Sequence, residues 1–176
     1  MANKDNVKIP TSLLEILKKP MPKVPGIFLK PTTSYIMEPE KNNVNEEVEL
    51  GVVIGTKATK VCEKDAMTYV GGYCVALDMT ATCQMEEARR TGGSWTIGKG
   101  FDTATPVGPF IPKSCIPDPH NVALWCSVNG KERQNGCTSD MAFNIPALIS
   151  FISQYISLEP NDLILSGSPP PYGACT

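Results

Sequence analysis

The sequence predicts a single domain of the α+β class that is rich in β-strands, and three observations support this prediction. Its 176 residues fit one domain of ordinary size, which can bury about two-thirds of its unfolded surface without a disulfide or a structural metal. Short segments rich in β-branched residues recur along the chain, separated by turns that draw on 14 glycines and 16 prolines. Segments with the apolar spacing of a helix are few, and this balance is typical of an α+β domain.

The predicted strands are residues 27–29, 47–55, 73–78 and 163–165. The second strand reads EVELGVVIG, and its period of two places Glu47 and Glu49 on one face and apolar side chains on the other. Gly71-Gly72 is expected to break the chain before the third strand, YCVALD, which ends at Asp78.

A hairpin follows the third strand at some distance along the chain. Residues 122–128 alternate like a half-buried strand, and Asn129-Gly130 favours a tight turn into a returning strand over residues 131–134.

Four segments are predicted as helices: residues 12–19, 64–69, 82–91 and 148–156. Ser12 and Glu15 form a capping-box pattern at the start of the first, and Pro146 suits the first turn of the last. In the third helix, Glu86 and Arg90 have the spacing of an ion pair.

Composition excludes several classes of function. The formal net charge is −2 and no basic block is interleaved with aromatic residues, so nucleic acid and anionic membranes are not expected partners. No apolar run approaches the ~20 residues of a membrane span. The seven cysteines are odd in number and form no CxxC pair, which favours reduced thiols in an intracellular protein.

The single histidine, His120, excludes any site that needs two histidines. No motif pairs it with a cysteine, so a Cys-His hydrolase is not favoured. Cys74, Cys83 and Cys126 lie among apolar residues and are predicted to be buried structural thiols.

Three carboxylates could bind a metal ion. Glu47 and Glu49 project from one strand face, close enough to share a cation, and Asp78 ends a strand that looks buried. Oxygen ligands of this kind suit Mg²⁺. The alternative is a solvated strand face whose glutamates pair with lysines on a neighbouring strand.

A set of motifs, in order along the chain, resembles the fumarylacetoacetate hydrolase family, particularly its small acylpyruvate hydrolase and oxaloacetate decarboxylase members. The motifs are EVELGVVIG (47–55), MTYVGGYCVALDMTA (67–81), WTIGKGFDTATPVGPFIP (95–112), IPDPH (116–120), VNGKERQNG (128–136) and DLILSGSP (162–169). The resemblance runs from about Ile27 to Pro169. It implies a mixed β-sandwich roll over residues 27–176, shortened at its C-terminal end, after a divergent segment and linker over residues 1–26.

The resemblance also implies a site and a chemistry. Glu47, Glu49 and Asp78 match the family's Mg²⁺ or Mn²⁺ ligands, and Lys99 matches its catalytic, substrate-contacting lysine. Ser168 and Lys30 match further substrate-binding positions. The implied activity is cleavage of a carbon–carbon bond in an acylpyruvate or in oxaloacetate, or keto–enol tautomerisation. The implied protein is a homodimer in mitochondria or cytosol that acts on a small keto acid.

The sequence departs from the family pattern at the two ends and in one helix. Relatives begin with a strand and a helix whose His and Glu activate water, and residues 1–19 contain no histidine. Thr82 and Cys83 stand where relatives carry an Arg-Asp pair, and Met85 stands where they carry Gln. His120 matches a turn position and is predicted to form structural hydrogen bonds. The family's later strands are not matched.

These departures lead to two alternatives. One is an enzyme with impaired activity that favours decarboxylation or tautomerisation over hydrolysis, because only hydrolysis needs an activated water. The other is a non-catalytic, truncated or spliced family protein that binds metal or dimerises with a complete relative. A β-rich binding module unrelated to catalysis has no feature beyond composition in its favour.

Overall fold

The structure is a computed structural model that describes residues 22–36 and 44–169, together with the backbone of residues 173–174. The helix predicted over residues 12–19 lies outside the described residues. No helix among those described is long and apolar enough to cross a membrane.

Ten strands and three α-helices are described. The strands are β1 Tyr35–Ile36, β2 Asn45–Glu46, β3 Val48–Ile54, β4 Val70–Leu77, β5 Thr105–Pro106, β6 Ile111–Pro112, β7 Ala123–Val128, β8 Lys131–Cys137, β9 Leu163–Leu165 and β10 Gly173–Ala174. The helices are α1 Thr82–Thr91, α2 Thr96–Gly100 and α3 Ile145–Ser153. Short 3₁₀ helices cover Thr32–Ser34, Glu63–Tyr69, Lys113–Cys115 and Thr138–Asp140.

The centre of the fold is an antiparallel sheet with the strand order β6-β4-β3-β9. The strands predicted over residues 47–55, 73–78 and 163–165 are confirmed as β3, β4 and β9. Alternate residues of β3, from Val48 to Ile54, enter the main hydrophobic core, and Ile145, Ile149 and Ile152 of α3 pack against them. Since these apolar side chains occupy one face of β3, Glu49 is directed to the other face.

The expected break at Gly71-Gly72 is wrong, because both glycines lie inside β4. The β3–β4 register shifts next to them, between Val53 and Ile54. A β-carbon on Gly55 would lie 2.8 Å from the α-carbon of Gly71, so the two backbone segments lie too close together here to leave room for side chains. The glycine pair therefore permits close strand packing and does not end the strand.

The hairpin turn and the start of the last helix form as their local sequence predicts. Asn129 and Gly130 both have positive φ, 52° and 76°, as the tight turn between β7 and β8 requires. The side chain of Asn144 accepts a hydrogen bond from the backbone of Ala147 and caps the start of α3, where Pro146 lies in the first turn.

Two other sequence predictions are wrong. Residues 27–29 are not a strand; they are exposed and irregular, and Phe28 packs on Trp95 instead of extending a sheet. Arg90 does not pair with Glu86 but with Glu87, at 2.5 Å. Both spacings are allowed on a helix surface, so sequence alone does not choose between them.

We predict that Gly55→Ala lowers the free energy of unfolding by about 1–3 kcal/mol, because the new methyl group would overlap the backbone of Gly71. Urea denaturation measures the change. Gly26→Ala is the matched control, since a β-carbon at Gly26 would have no atom within 4 Å. Equal stability of the two variants would contradict the close approach of the two strands.

Candidate active site

The register of β3 and β4 brings three carboxylates together. Val48 pairs with Leu77, and the backbone N–H of Asp78 donates to the carbonyl of Glu47 at 2.8 Å, so these two residues lie opposite each other. Glu49 follows Glu47 on the same face of the sheet. One carboxylate oxygen from each of Glu47, Glu49 and Asp78 lies within 4.8 Å of the other two. Glu49 and Asp78 are 3% and 2% exposed, so the cluster is not a solvated strand face.

Two lysines reach into this carboxylate cluster from other parts of the chain. The ammonium group of Lys99, at the end of α2, donates to Asp78 at 2.6 Å and to both oxygens of Glu47 at 3.2 Å. Lys30, from the irregular segment before β1, donates to the other oxygen of Asp78 at 2.6 Å and to the backbone carbonyl of Lys99. Each lysine therefore touches the carboxylates directly.

Neutral donors orient the two glutamates. The hydroxyl of Thr80 donates to Glu47 at 2.9 Å. The backbone N–H of Gly167, whose φ is +96°, donates to Glu49 at 2.6 Å. A glycine suits this position because residues with a side chain rarely adopt such a φ. Sequence reasoning assigned no role to either donor.

The charges in this cluster suit a divalent cation. When all three carboxylates are ionised, they exceed the two ammonium groups by one negative charge, and a divalent cation would replace the proton that Glu49 otherwise keeps near neutral pH. Burial, followed by repulsion from Asp78, raises the pKa of Glu49 to about 8. Burial lowers the pKa of Lys30 below its ordinary value. An oxygen-only donor set with surplus negative charge is the chemistry that Mg²⁺ or Mn²⁺ binds, so the residues fit the expected metal.

A buried glutamine braces the site from behind. Gln134 of β8 is 1% exposed; its side-chain oxygen accepts from the backbone N–H of Val48 at 2.8 Å, and its nitrogen donates to the carbonyl of Pro169 at 2.9 Å. It thereby joins the start of β3 to the turn that carries Gly167 and Ser168. Sequence reasoning treated this residue only as part of a hairpin.

The carboxylate cluster opens into a cavity of about 940 Å³. Ser168 and Lys30 line this cavity, and the hydroxyl oxygen of Ser168 is buried. The structure therefore places all six residues singled out in the sequence around one space: Lys30, Glu47, Glu49, Asp78, Lys99 and Ser168.

One wall of the cavity is aromatic and was not foreseen. The rings of Phe28 and Trp95 lie 5.9 Å apart between centroids. The ammonium group of Lys99 lies 5.4 Å from the centroid of Phe28, and the guanidinium of Arg89 lies 6.0 Å from that of Trp95. These contacts join residues that are far apart in sequence, so no local sequence pattern predicts them.

The histidine is remote from this chemistry. His120 does not line the cavity, and its side chain accepts a hydrogen bond from the backbone N–H of Ile145 at the start of α3. The predicted structural role is confirmed.

The six described cysteines are free thiols. Cys74 is buried and Cys126 is half-buried, and burial raises the pKa of both. Cys83 was predicted to be buried but is exposed, because α1 turns it away from the sheet.

The cavity joins three carboxylates, two lysines and an SGSP turn, the groups that the sequence motifs predicted for one site. Comparison of sequences agrees: the profile of the fumarylacetoacetate (FAA) hydrolase C-terminal family matches residues 3–175. The chain belongs to this family, whose named members are enzymes that act at carbon–carbon bonds.

Two curated relatives show the similarity in detail. The chain is 45% identical over 156 residues to the mitochondrial oxaloacetate tautomerase fahd-1 of Caenorhabditis elegans, covering 85% of this chain and 73% of that protein. It is 47% identical over 152 residues to the mitochondrial oxaloacetate tautomerase FAHD1 of Homo sapiens, covering 82% of this chain and 69% of that protein.

Solved structures share the fold. Fumarylpyruvate hydrolase from Pseudomonas aeruginosa, in complex with Mn²⁺ and pyruvate, aligns with a TM-score of 0.78 at 30% identity, over 84% of this chain and 68% of that one. A 5-carboxymethyl-2-hydroxymuconate delta-isomerase from Mycobacterium smegmatis aligns with a TM-score of 0.76 at 34% identity, over 92% and 64% of the two chains. The predicted α+β class and family fold are confirmed.

We predict that Gln134→Leu lowers the free energy of unfolding by roughly 2–4 kcal/mol, because it leaves a backbone N–H and a carbonyl without their partner. Thermal and urea denaturation measure the loss. Asn135→Leu, at the neighbouring exposed position, is the matched control and should have little effect. Similar small losses in both variants would contradict the bracing role.

We predict that Lys99→Met tightens Mn²⁺ binding about tenfold, because the ammonium group competes with a cation for Asp78 and Glu47. Isothermal titration calorimetry measures the affinity. Lys57→Met, which removes an exposed ion pair with Glu159, should leave it unchanged. Weaker Mn²⁺ binding by the Lys99 variant would show that the lysine supports the metal instead of competing with it.

Proposed function

We propose that the chain is a Mg²⁺- or Mn²⁺-dependent enzyme acting on small 2-keto acids, with oxaloacetate decarboxylation or keto–enol tautomerisation favoured over acylpyruvate hydrolysis. The observation that carries this proposal is the buried cluster of Glu47, Glu49 and Asp78, in contact with two lysines at the inner end of one cavity. The relatives named as oxaloacetate tautomerases and the Mn²⁺- and pyruvate-bound relative support the substrate class and the type of metal.

Each residue has a distinct role in this proposal. Glu47, Glu49 and Asp78 hold the divalent cation, which when bound supplies Lewis acidity to the keto oxygen of the substrate. Lys99 places a positive charge beside the oxygen on which negative charge develops. Ser168 provides a hydroxyl for the substrate carboxylate.

Lys30 is better placed to orient the site than to touch the substrate. Its ammonium group binds Asp78 and the backbone carbonyl of Lys99, which ties a metal-ligand position to the catalytic lysine. Both charged groups are largely buried, so losing either one would leave the other as a buried charge without its counter-charge.

Decarboxylation requires few functional groups from the protein. The bond between C3 and C4 of oxaloacetate breaks, carbon dioxide leaves, and the electron pair forms the enolate of pyruvate, which then takes a proton at C3. The ammonium group of Lys99 is placed to stabilise that negative charge, to which a bound cation would add, and no water has to be activated. Tautomerisation places negative charge on the same oxygen, because a proton leaves C3 and the keto oxygen then takes up a proton.

Hydrolysis of an acylpyruvate makes a further demand, because a base must activate the attacking water. The only histidine of the sequence, His120, is bound to the backbone of Ile145 and does not line the cavity. Among the described residues that line the cavity, the carboxylates nearest Lys99 are the three assigned to the metal. This is why we place hydrolysis second.

The remaining expectations concern setting and assembly. The curated relatives are named mitochondrial, which supports a mitochondrial location for this chain too. Homodimerisation stays a prediction from the family resemblance.

We predict that the purified protein with Mg²⁺ or Mn²⁺ converts oxaloacetate faster than it hydrolyses acetylpyruvate. Enol absorbance follows tautomerisation and a coupled pyruvate assay follows decarboxylation. Asp78→Asn should reduce conversion roughly 100-fold, because it removes a metal ligand that also holds both lysines. A blank with the same metal and no protein corrects for free-metal catalysis.

Glu63→Gln, at an exposed acidic residue, is the control for an unspecific loss of charge. Rapid acetylpyruvate hydrolysis that depends on Asp78 would show that a water-activating group is present and would overturn the preferred order. Metal binding without turnover of either compound would favour the non-catalytic alternative.

A further inference from the structure

A continuous line of charged and aromatic groups runs along one wall of the cavity. It begins at Lys99, whose ammonium group faces the ring of Phe28, continues to the ring of Trp95, and ends at the guanidinium of Arg89. All four residues line the cavity. The wall therefore has a cation at the inner end, next to the carboxylate cluster, and a second cation towards solvent.

The outer cation lies on a defined face of α1. Thr82, Met85, Glu86 and Arg89 line the cavity, and their spacing of three and four residues places them on one side of the helix. Glu86 shares this face, but a carboxylate has no hydrogen to donate to an anion. Arg89 thus supplies the charged hydrogen-bond donors of this face, beside the hydroxyl of Thr82.

Arg89 is not engaged with a carboxylate among the residues that the structure describes; its recorded contact is the ring of Trp95. Its neighbour Arg90 differs, because two of its nitrogens donate to Glu87, at 2.5 and 3.0 Å. A guanidinium that rests on an aromatic ring keeps its donors directed outward and can bind a carboxylate through two parallel hydrogen bonds.

We infer that Arg89, supported by Trp95, binds the far carboxylate of an extended 2-keto dicarboxylic acid whose keto-acid end lies at the carboxylate cluster. This inference rests on the proposed function of the carboxylate cluster and adds a substrate longer than oxaloacetate, one that would be cleaved by the hydrolysis ranked second above. The two rings, tilted by 50° to each other, form an apolar surface between the two charged ends, which suits the carbon chain of such an acid. Arg89 lies seven residues, about two helical turns, beyond Thr82, which stands where the resemblance leads us to expect an arginine.

The test separates binding from turnover. Two ligands of equal length, 2-oxoheptanedioate and 2-oxoheptanoate, differ only in the far carboxylate. Neither has the second keto group that hydrolysis requires or the carboxylate beta to the keto group that decarboxylation requires. Calorimetry of the full chain in saturating Mn²⁺ gives their affinities. The wild type should bind the dicarboxylate about tenfold more tightly, as expected for one charge-assisted contact at a partly solvated site.

Arg89→Gln should bring this affinity ratio close to one, and Arg89→Lys should keep part of it, because lysine retains the charge without the planar fork. Arg90→Gln is the matched control and should keep the wild-type ratio. An unchanged ratio in Arg89→Gln, an equal loss in Arg90→Gln, or no preference in the wild type would overturn the inference.

Failure of the proposed function is a different result. It would appear as no conversion of oxaloacetate, acetylpyruvate or fumarylpyruvate by the wild type, whatever the affinity ratio. If fumarylpyruvate is converted, Arg89→Gln should raise its KM about tenfold relative to that of acetylpyruvate, and equal KM changes for both substrates would overturn the inference.

Discussion

The pairing of β3 with β4 is the constraint on which the candidate site depends. Antiparallel register places Asp78 opposite Glu47 and leaves Glu49 on the same face, so three carboxylates share a buried space. Carboxylates packed this closely would repel one another and destabilise the fold unless cations neutralise them. Lys30 and Lys99 meet part of this need, and a divalent cation would meet the rest.

The surroundings of the sheet follow from that requirement. Both lysines come from segments with little regular structure, an irregular stretch before β1 and a five-residue helix. They are held in place largely by the carboxylates that they neutralise. Gln134 fixes the position of the turn after β9, because its side chain hydrogen-bonds both to Pro169 and to the start of β3. The carboxylates and their two lysines thus fix the positions of the segments around them. Burial of the apolar face of β3 supplies stability that offsets the free-energy cost of burying these charges.

Local patterns predicted the parts of this structure that depend on local physics. The period of two in β3, the Asn129-Gly130 turn and the α1 helix were all visible in the sequence. The strand predicted at 27–29 does not form, and Phe28 packs on Trp95 there. Strand alternation suggested Glu47, Glu49 and Asp78 only as one of two alternatives, since nothing local joins Glu47 to Asp78. The family resemblance favoured the metal site and added Lys30, Lys99 and Ser168. Gln134 and the Phe28–Trp95 wall were missed, because their contacts span tens of residues and depend on tertiary packing.

The most direct test of this account is a crystal structure of the protein grown with Mn²⁺, with the metal located by its anomalous scattering. We expect one strong peak coordinated by Glu47, Glu49 and Asp78, with the ammonium group of Lys99 no longer hydrogen-bonded to Asp78. A structure at saturating Mn²⁺ without a peak among these carboxylates, and with both lysines still bound to Asp78, would contradict it.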